Sequence, residues 1–253
     1  MIEGMGLFLA GLIGGMVNAI AGGGSFITFP ALMAAGVPPI AANATNTFAS
    51  SAGYLSGAAG FHRELWVHRR QLPKIAVSAL IGGGLGAWLL LHTPENTFSR
   101  AIPWLLLLAT LLLVWGDPVQ DAFRRRFEGK QSFSALGGVL LALSLLLVST
   151  YGGFFNAGLG IILLGYFTLA GYQDIHLMNG LKLLVSALVS ILAIAMFGVG
   201  ELIAWRQGTI VLIGTLIGGY AAASAVRVVS QRLVRRAIIG VAAGMTAYFF
   251  MAS

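Results

Sequence analysis

Residues 101–115 read AIPWLLLLATLLLVW, fifteen residues without a charge, and comparable runs such as IIGVAAGMTAYFF (238–250) recur along the chain. Such runs are near the length at which a helix crosses about 30 Å of hydrocarbon. In lipid every backbone N–H and C=O must be satisfied internally, so only helices and closed barrels are open to such a chain. No long apolar–polar alternation supports a barrel. Of the 253 residues 58% are hydrophobic and 9% charged, against about 25% charged in a soluble domain. A water-facing surface cannot be covered with that stock. The expected fold is an all-α integral membrane protein, a polytopic helical bundle.

The beginning, MIEGMGLFLAGL, carries an acid and no Lys or Arg. A secretory signal has a positive n-region, so this first apolar segment is expected to be retained. The longest polar stretches are 61–74 and 116–132, too short for a water-soluble domain. There is no cysteine, which excludes disulfides and thiolate chemistry.

The fifteen Lys and Arg residues are clustered. Arg63, Arg69, Arg70 and Lys74 lie in 61–74, Arg124, Arg125, Arg126 and Lys130 in 117–131, and Arg227, Arg232, Arg235 and Arg236 in 225–236. Arg100, Arg206 and Lys182 remain. By the positive-inside rule the three basic loops are cytoplasmic. Both termini then face outward, and the expected location is the bacterial cytoplasmic (inner) membrane, crossed many times. The net charge of +7 is thus an orientation signal, and no nucleic-acid partner is expected.

Apolar helices are predicted near 4–21, 26–36, 40–60, 75–91 and 101–115, and again near 133–150, 158–171, 175–197, 208–224 and 236–251. The two sets are related in sequence. GGMVNA (14–19) matches GGFFNA (152–157), AAGVPPIAANATN (34–46) matches LAGYQDIHLMNGLK (169–182), and LIGGGLGAW (80–88) matches LIGTLIGGY (212–220). The offsets are 138, 136 and 132. The loop 61–74 is expected inside and its counterpart 198–207 outside, so the halves have opposite orientation. The domain organisation is therefore one transporter domain, 1–253. It holds inverted repeat 1 (about 4–116), a cytoplasmic linker (about 117–131) and inverted repeat 2 (about 132–253).

Repeats of opposite orientation mark many secondary transporters, whose sites lie near the bilayer midplane at interrupted helices. GGMVNAIAGGGS (14–25) has the composition of such an interruption, because glycine costs about 1 kcal/mol relative to alanine inside a helix. The next segment, FITFPALMAAG, has 11 residues and spans only about 16 Å at 1.5 Å per residue. Each half is read as a Gly-broken first helix pair followed by three spanning helices.

The opening GLIGGMVNAIAGGGSFITFPALMAAGVPPIAANATN resembles the sulfite exporter TauE/SafE family of permeases. The resemblance rests on Gly14, Gly15, Gly22, Gly23, Gly24, Pro30 and the run Ala42 to Asn46, Thr45 included. GGFFNAGLGIILLG (152–165) is family-like as well. The resemblance implies movement of small sulfur-containing or organic anions such as sulfite or sulfonates.

The residues read by themselves supply a compatible site. Along 40–60, Asn43, Asn46, Thr47, Ser50, Ser51 and Tyr54 form one helical face, and Asn179, Lys182, Ser186 and Ser190 form another along 175–197. The bland reading is that Ser, Thr and Asn glue membrane helices together. For Asn43 and Asn179, which match across the repeat, the substrate-binding reading is favoured. Lys182, flanked by Leu181 and Leu183, is the sharpest residue, because intramembrane charge usually marks a substrate or ion pathway. Snorkelling to the boundary is its alternative. Lys182 is expected to attract an anionic substrate and to offer a place for protons as coupling ion. Half-helix starts expose N–H groups suited to an anion. That brings in Gly22, Gly23, Gly24 and Ser25 in the first copy, with Ser25 as N-cap or substrate donor, and Gly158 and Gly160 in the second. Asn18 and Asn156 either line the site or satisfy carbonyls freed at the breaks. Asp174 reads as an N-cap.

There is no HExxH, no Gly-x-Ser-x-Gly and no carboxylate pair inside a span, so an enzyme is not expected. The absence of GxxxxGK[ST] argues against a nucleotide-driven pump. No cofactor and no metal spacing is present. The expected function is a secondary permease for a small anion working by alternating access. Its rivals are an anion channel of the same fold and a helper subunit without its own substrate. Nothing in the sequence selects an oligomeric state.

Overall fold

Leu, Ala and other good helix formers fill the apolar runs, and lipid offers the backbone no other partner. The computed structural model describes residues 2–127, 135–225 and 231–252, and every regular element among them is a helix. The first half holds α1 (Ile2–Ala21), α2 (Ser25–Ala34), α3 (Pro39–Gly60), α4 (His62–Val67), α5 (Leu72–Leu91) and α6 (Glu95–Phe127). The second holds α7 (Ala135–Phe154), α8 (Leu159–Leu169), α9 (Ile175–Val199), α10 (Trp205–Ala225) and α11 (Gln231–Ala252). Among the described residues, α5, the Glu95–Trp115 part of α6, and α9 are long and apolar enough to cross a membrane. Exposed Leu147, Trp104 and Leu143 belong to the apolar outer surface that lipid would cover.

Two departures from the expected pattern are local. The loop 61–74 contains the short helix α4, docked through buried Leu65 onto α9 at Gly180. Helix α6 starts at Glu95 and continues to Phe127, well past the apolar run. The basic residues Lys130 and Arg227 lie outside the described residues, as does the expected start of a span at 133.

The halves pack crosswise. Helix α1 lies against α10 and α5 against α7, while α3 meets α9 at the centre. The two outer interfaces are built alike. Gly214 and Gly218 of α10 sit against the backbone of Phe8 and Leu12 on α1, and Gly82 and Gly86 of α5 sit against the backbone of Leu146 and Thr150 on α7. A Cβ on Gly82 would stand 2.6 Å from the Leu146 carbonyl oxygen. Gly82 and Gly86 occupy the same places in LIGGGLGAW as Gly214 and Gly218 in LIGTLIGGY. Small residues let the helix backbones approach, the usual basis of packing where lipid provides no hydrophobic drive.

The last helices of each half also meet at matched positions. Arg-Ala-Ile occurs at 100–102 in α6 and at 236–238 in α11. Thr110 and Thr246, separated by the same number of residues, are hydrogen-bonded at 3.1 Å. Exchanging the halves therefore maps these interfaces onto one another.

Candidate functional site at two helix breaks

Each break contains a glycine in the left-handed backbone region, at the end of α1 in the first half and just ahead of α8 in the second. Gly22 has φ +81° and donates its N–H to the Asn18 carbonyl at 3.1 Å, and Gly158, the N-cap of α8, has φ +79°. Any other L-residue there would cost about 1–2 kcal/mol. The interruption is shorter than the sequence suggests. Helix α1 runs through Gly14 and Gly15 to Ala21, so these two glycines serve close packing. A Cβ on Gly14 would lie 2.6 Å from the Thr28 methyl, and Gly15 rests on the Thr215 backbone. Gly23 is similarly pressed, against the Ile238 side chain at 2.8 Å, and Gly24 against Gly14 and Asn18.

Ser25 does not act as the expected N-cap. It is the first residue of α2, Gly24 holds the cap position, and no side chain caps it. The Ser25 Oγ instead accepts a 3.1 Å bond from Asn46 Nδ2. The Thr28 hydroxyl lies 2.5 Å from Asn46 Oδ1 and 3.2 Å from the Gly24 carbonyl. All three side chains are nearly inaccessible, so α3 is latched to the start of α2.

A second set of bonds ties α3 to the other break. The Tyr54 hydroxyl donates to Asn156 Oδ1 at 2.9 Å, and Asn156 Nδ2 reaches Ser190 Oγ on α9 at 3.5 Å. Asn43 Nδ2 donates to the Phe154 carbonyl at 2.9 Å, taking up an acceptor left free where α7 ends. Two polar clusters thus lie along α3: Thr28, Asn46 and Ser25 at the first break, and Tyr54, Asn156 and Ser190 at the second. Tyr54 was legible as a member of the polar face but not as the connector, because its partner is 102 residues away. Buried Phe29 and Phe155 pack edge-on at 5.7 Å and help to seal the interrupted backbone.

Lys182 is the one charged side chain among the buried described residues, at 8% exposure. Its Nζ donates to Asn179 Oδ1 at 3.0 Å, and among the described residues no carboxylate pairs with it. Its stem crosses the first turn of α8. A Cβ on Gly160 would lie 3.3 Å from Lys182 Cδ and 3.9 Å from the Gly22 carbonyl oxygen. The ammonium stem, the Gly160 backbone and the end of the first break therefore lie side by side.

The remaining candidates are distributed around this centre. Asn18 is half-buried against Gly53 of α3 and makes no side-chain hydrogen bond among the described residues. Ser186 is buried on the Lys182 face of α9. Thr47 bonds back to the Asn43 carbonyl at 3.0 Å. Thr45 points elsewhere: its Oγ1 accepts the Ala204 N–H at 2.9 Å, ahead of α10. Asp174 caps α9 as expected, its carboxylate accepting from the His176 N–H at 2.8 Å. No group of metal-binding side chains occurs among the described residues.

A bundle of apolar helices with a polar centre at two interrupted helices defines a polytopic helical membrane protein. The family model described as "Sulfite exporter TauE/SafE" matches residues 7–249, and the chain belongs to this family. It is 30% identical over 242 residues to a "Probable membrane transporter protein" of Haemophilus influenzae, covering 95% of this chain and 92% of that one. It is 28% identical to "Probable membrane transporter protein YfcA" of Escherichia coli K12, covering 95% and 87%. It is 30% identical over 239 residues to "Probable membrane transporter protein ORF9" of a Sinorhizobium species, covering 90% and 87%. No solved structure matches the chain. The chain is a membrane transporter and not an enzyme.

Proposed function

We propose that this chain is a secondary transporter of small sulfur-containing or organic anions, of the sulfite and sulfonate type. The observation that carries the reading is Lys182: a buried ammonium without a carboxylate partner among the described residues, its stem lying over Gly160 at the start of α8. First-turn amides such as that of Gly160 have no intrahelical carbonyl to reach. Together with the ammonium they favour an oxyanion. Asn18 of α1, which makes no side-chain hydrogen bond among the described residues, and Ser186, on the Lys182 face of α9, are the further polar groups assigned to the substrate. Asn179 orients the ammonium. Asn43, Asn46, Thr47, Ser25 and Asn156 hold the walls, and Gly22, Gly23, Gly24 and Gly158 let the breaks approach.

The halves act as inverted repeats that rock against each other in alternating access. The support is the twofold recurrence of the glycine-lined interface and the Thr110–Thr246 contact. The basic loops orient the chain in the bacterial cytoplasmic membrane with both termini outside. Lys182 is also where a coupling proton would be exchanged.

The test is flux into proteoliposomes under an imposed pH gradient, with sulfite, sulfoacetate and acetate compared. Uphill accumulation of an anion supports the transporter. Accumulation that never exceeds the electrochemical equilibrium of the anion would favour a channel, and absence of flux for every anion would remove the assignment.

A further inference from the structure

A groove of about 780 Å³ lies outside the candidate site, between the end of α2, the start of α3, the first turns of α6 and the end of α11. Its two sides differ in chemistry. Asn96, Ser99 and Arg100 supply one side from a single face of α6. Met33, Met245 and Phe249 supply the apolar side. Among the described residues no Asp or Glu lines the groove. Arg100 is exposed and makes no hydrogen bond or ion pair among the described residues.

The groove is separate from the polar clusters along α3. Ser25 and Thr28 turn toward Asn46 on α3, while Pro30 and Met33 of the same short helix face the groove. The surroundings place it at the edge of the apolar surface. Trp104, one turn beyond Arg100, is 65% exposed and packs edge-on against Phe250 at 5.1 Å, and Tyr248 on the groove wall is 62% exposed. Exposed Trp and Tyr of this kind gather at the headgroup level of a bilayer.

We propose that this groove is a binding site for an anionic phospholipid, with the phosphate on Arg100, Ser99 and Asn96 and an acyl chain along Met33, Met245 and Phe249. A cation with flanking donors beside an apolar slot complements an amphiphile whose phosphate and tail lie close together. A small hydrophilic anion would use only the Arg100 side. The site is independent of the transport assignment.

Native mass spectrometry of the detergent-purified protein, offered phosphatidylglycerol or phosphatidylcholine, tests it. The wild type should retain phosphatidylglycerol at least severalfold over phosphatidylcholine. Arg100→Gln should abolish that preference, Ala34→Phe should block retention with the arginine intact, and Arg206→Gln, altering another exposed arginine, should change nothing. Undiminished preference in Arg100→Gln, equal loss in Arg206→Gln, or displacement of the lipid by inorganic phosphate would each overturn the proposal.

Discussion

The Tyr54 hydroxyl donates a 2.9 Å hydrogen bond to Oδ1 of Asn156, joining α3 of the first half to the break of the second. This bond fixes which end of the Asn156 amide faces Ser190. Tyr54→Phe keeps the ring and removes the bond, a loss of about 1 kcal/mol. The expected result is a thermal midpoint a few degrees lower, and about a fivefold weaker apparent affinity for the transported anion by that same energy. Flux titrations and melting curves on one preparation measure both.

Lys182→Gln keeps an unbranched polar side chain with an N–H donor, one atom shorter, but removes the charge. A charge-assisted hydrogen bond is worth about 1.5–3 kcal/mol, so anion flux should fall about ten- to hundredfold. The variant should remain folded, since no carboxylate among the described residues is left unpaired. Normal sulfite or sulfonate flux through it would exclude Lys182 from the pathway.

The repeated interface makes paired predictions. A Cβ on Gly86 would come 2.6 Å from the Phe154 nitrogen, and one on Gly218 would come 2.8 Å from the Leu12 carbonyl carbon. Gly86→Ala and Gly218→Ala should each destabilise by about 1–3 kcal/mol, as overpacking does. Gly244→Ala, in open space on α11, should be neutral or stabilising by up to about 1 kcal/mol. Melting temperatures of the three variants provide the comparison.

Ser149 faces Gly82 of α5 and is fully buried, and its Oγ has no hydrogen-bond partner among the described residues. Removing an unsatisfied hydroxyl recovers its desolvation cost, about 1 kcal/mol or more. Ser149→Ala, which keeps the Cβ against Gly82, should raise the melting temperature. A lower midpoint would mean that the hydroxyl is satisfied in the membrane.

Helix positions were legible because a long apolar run has few alternatives to helix in lipid, and α5, α9 and α10 lie close to their expected bounds. Periodicity also placed Asn43, Asn46, Ser50 and Tyr54 on one face. It did not say what each would touch. Thr45 belongs to the same helix yet turns to Ala204, because the rotation of α3 between α9 and α10 is decided by packing. The extension of α6 to Phe127 was missed because the apolar signal stops near Trp115 while the backbone hydrogen-bond ladder does not.

Local chemistry alone determined that this chain is a bundle of apolar helices, that its first helix breaks after a glycine-rich stretch, and that Lys182 stands where charge is costly. Tertiary structure decided which glycines do what. Gly22 supplies a left-handed turn, whereas Gly14 and Gly15, eight and seven residues earlier, remain helical and admit neighbouring helices. Glycine is both permissive in φ and small, and only the packed neighbours reveal which property a position uses.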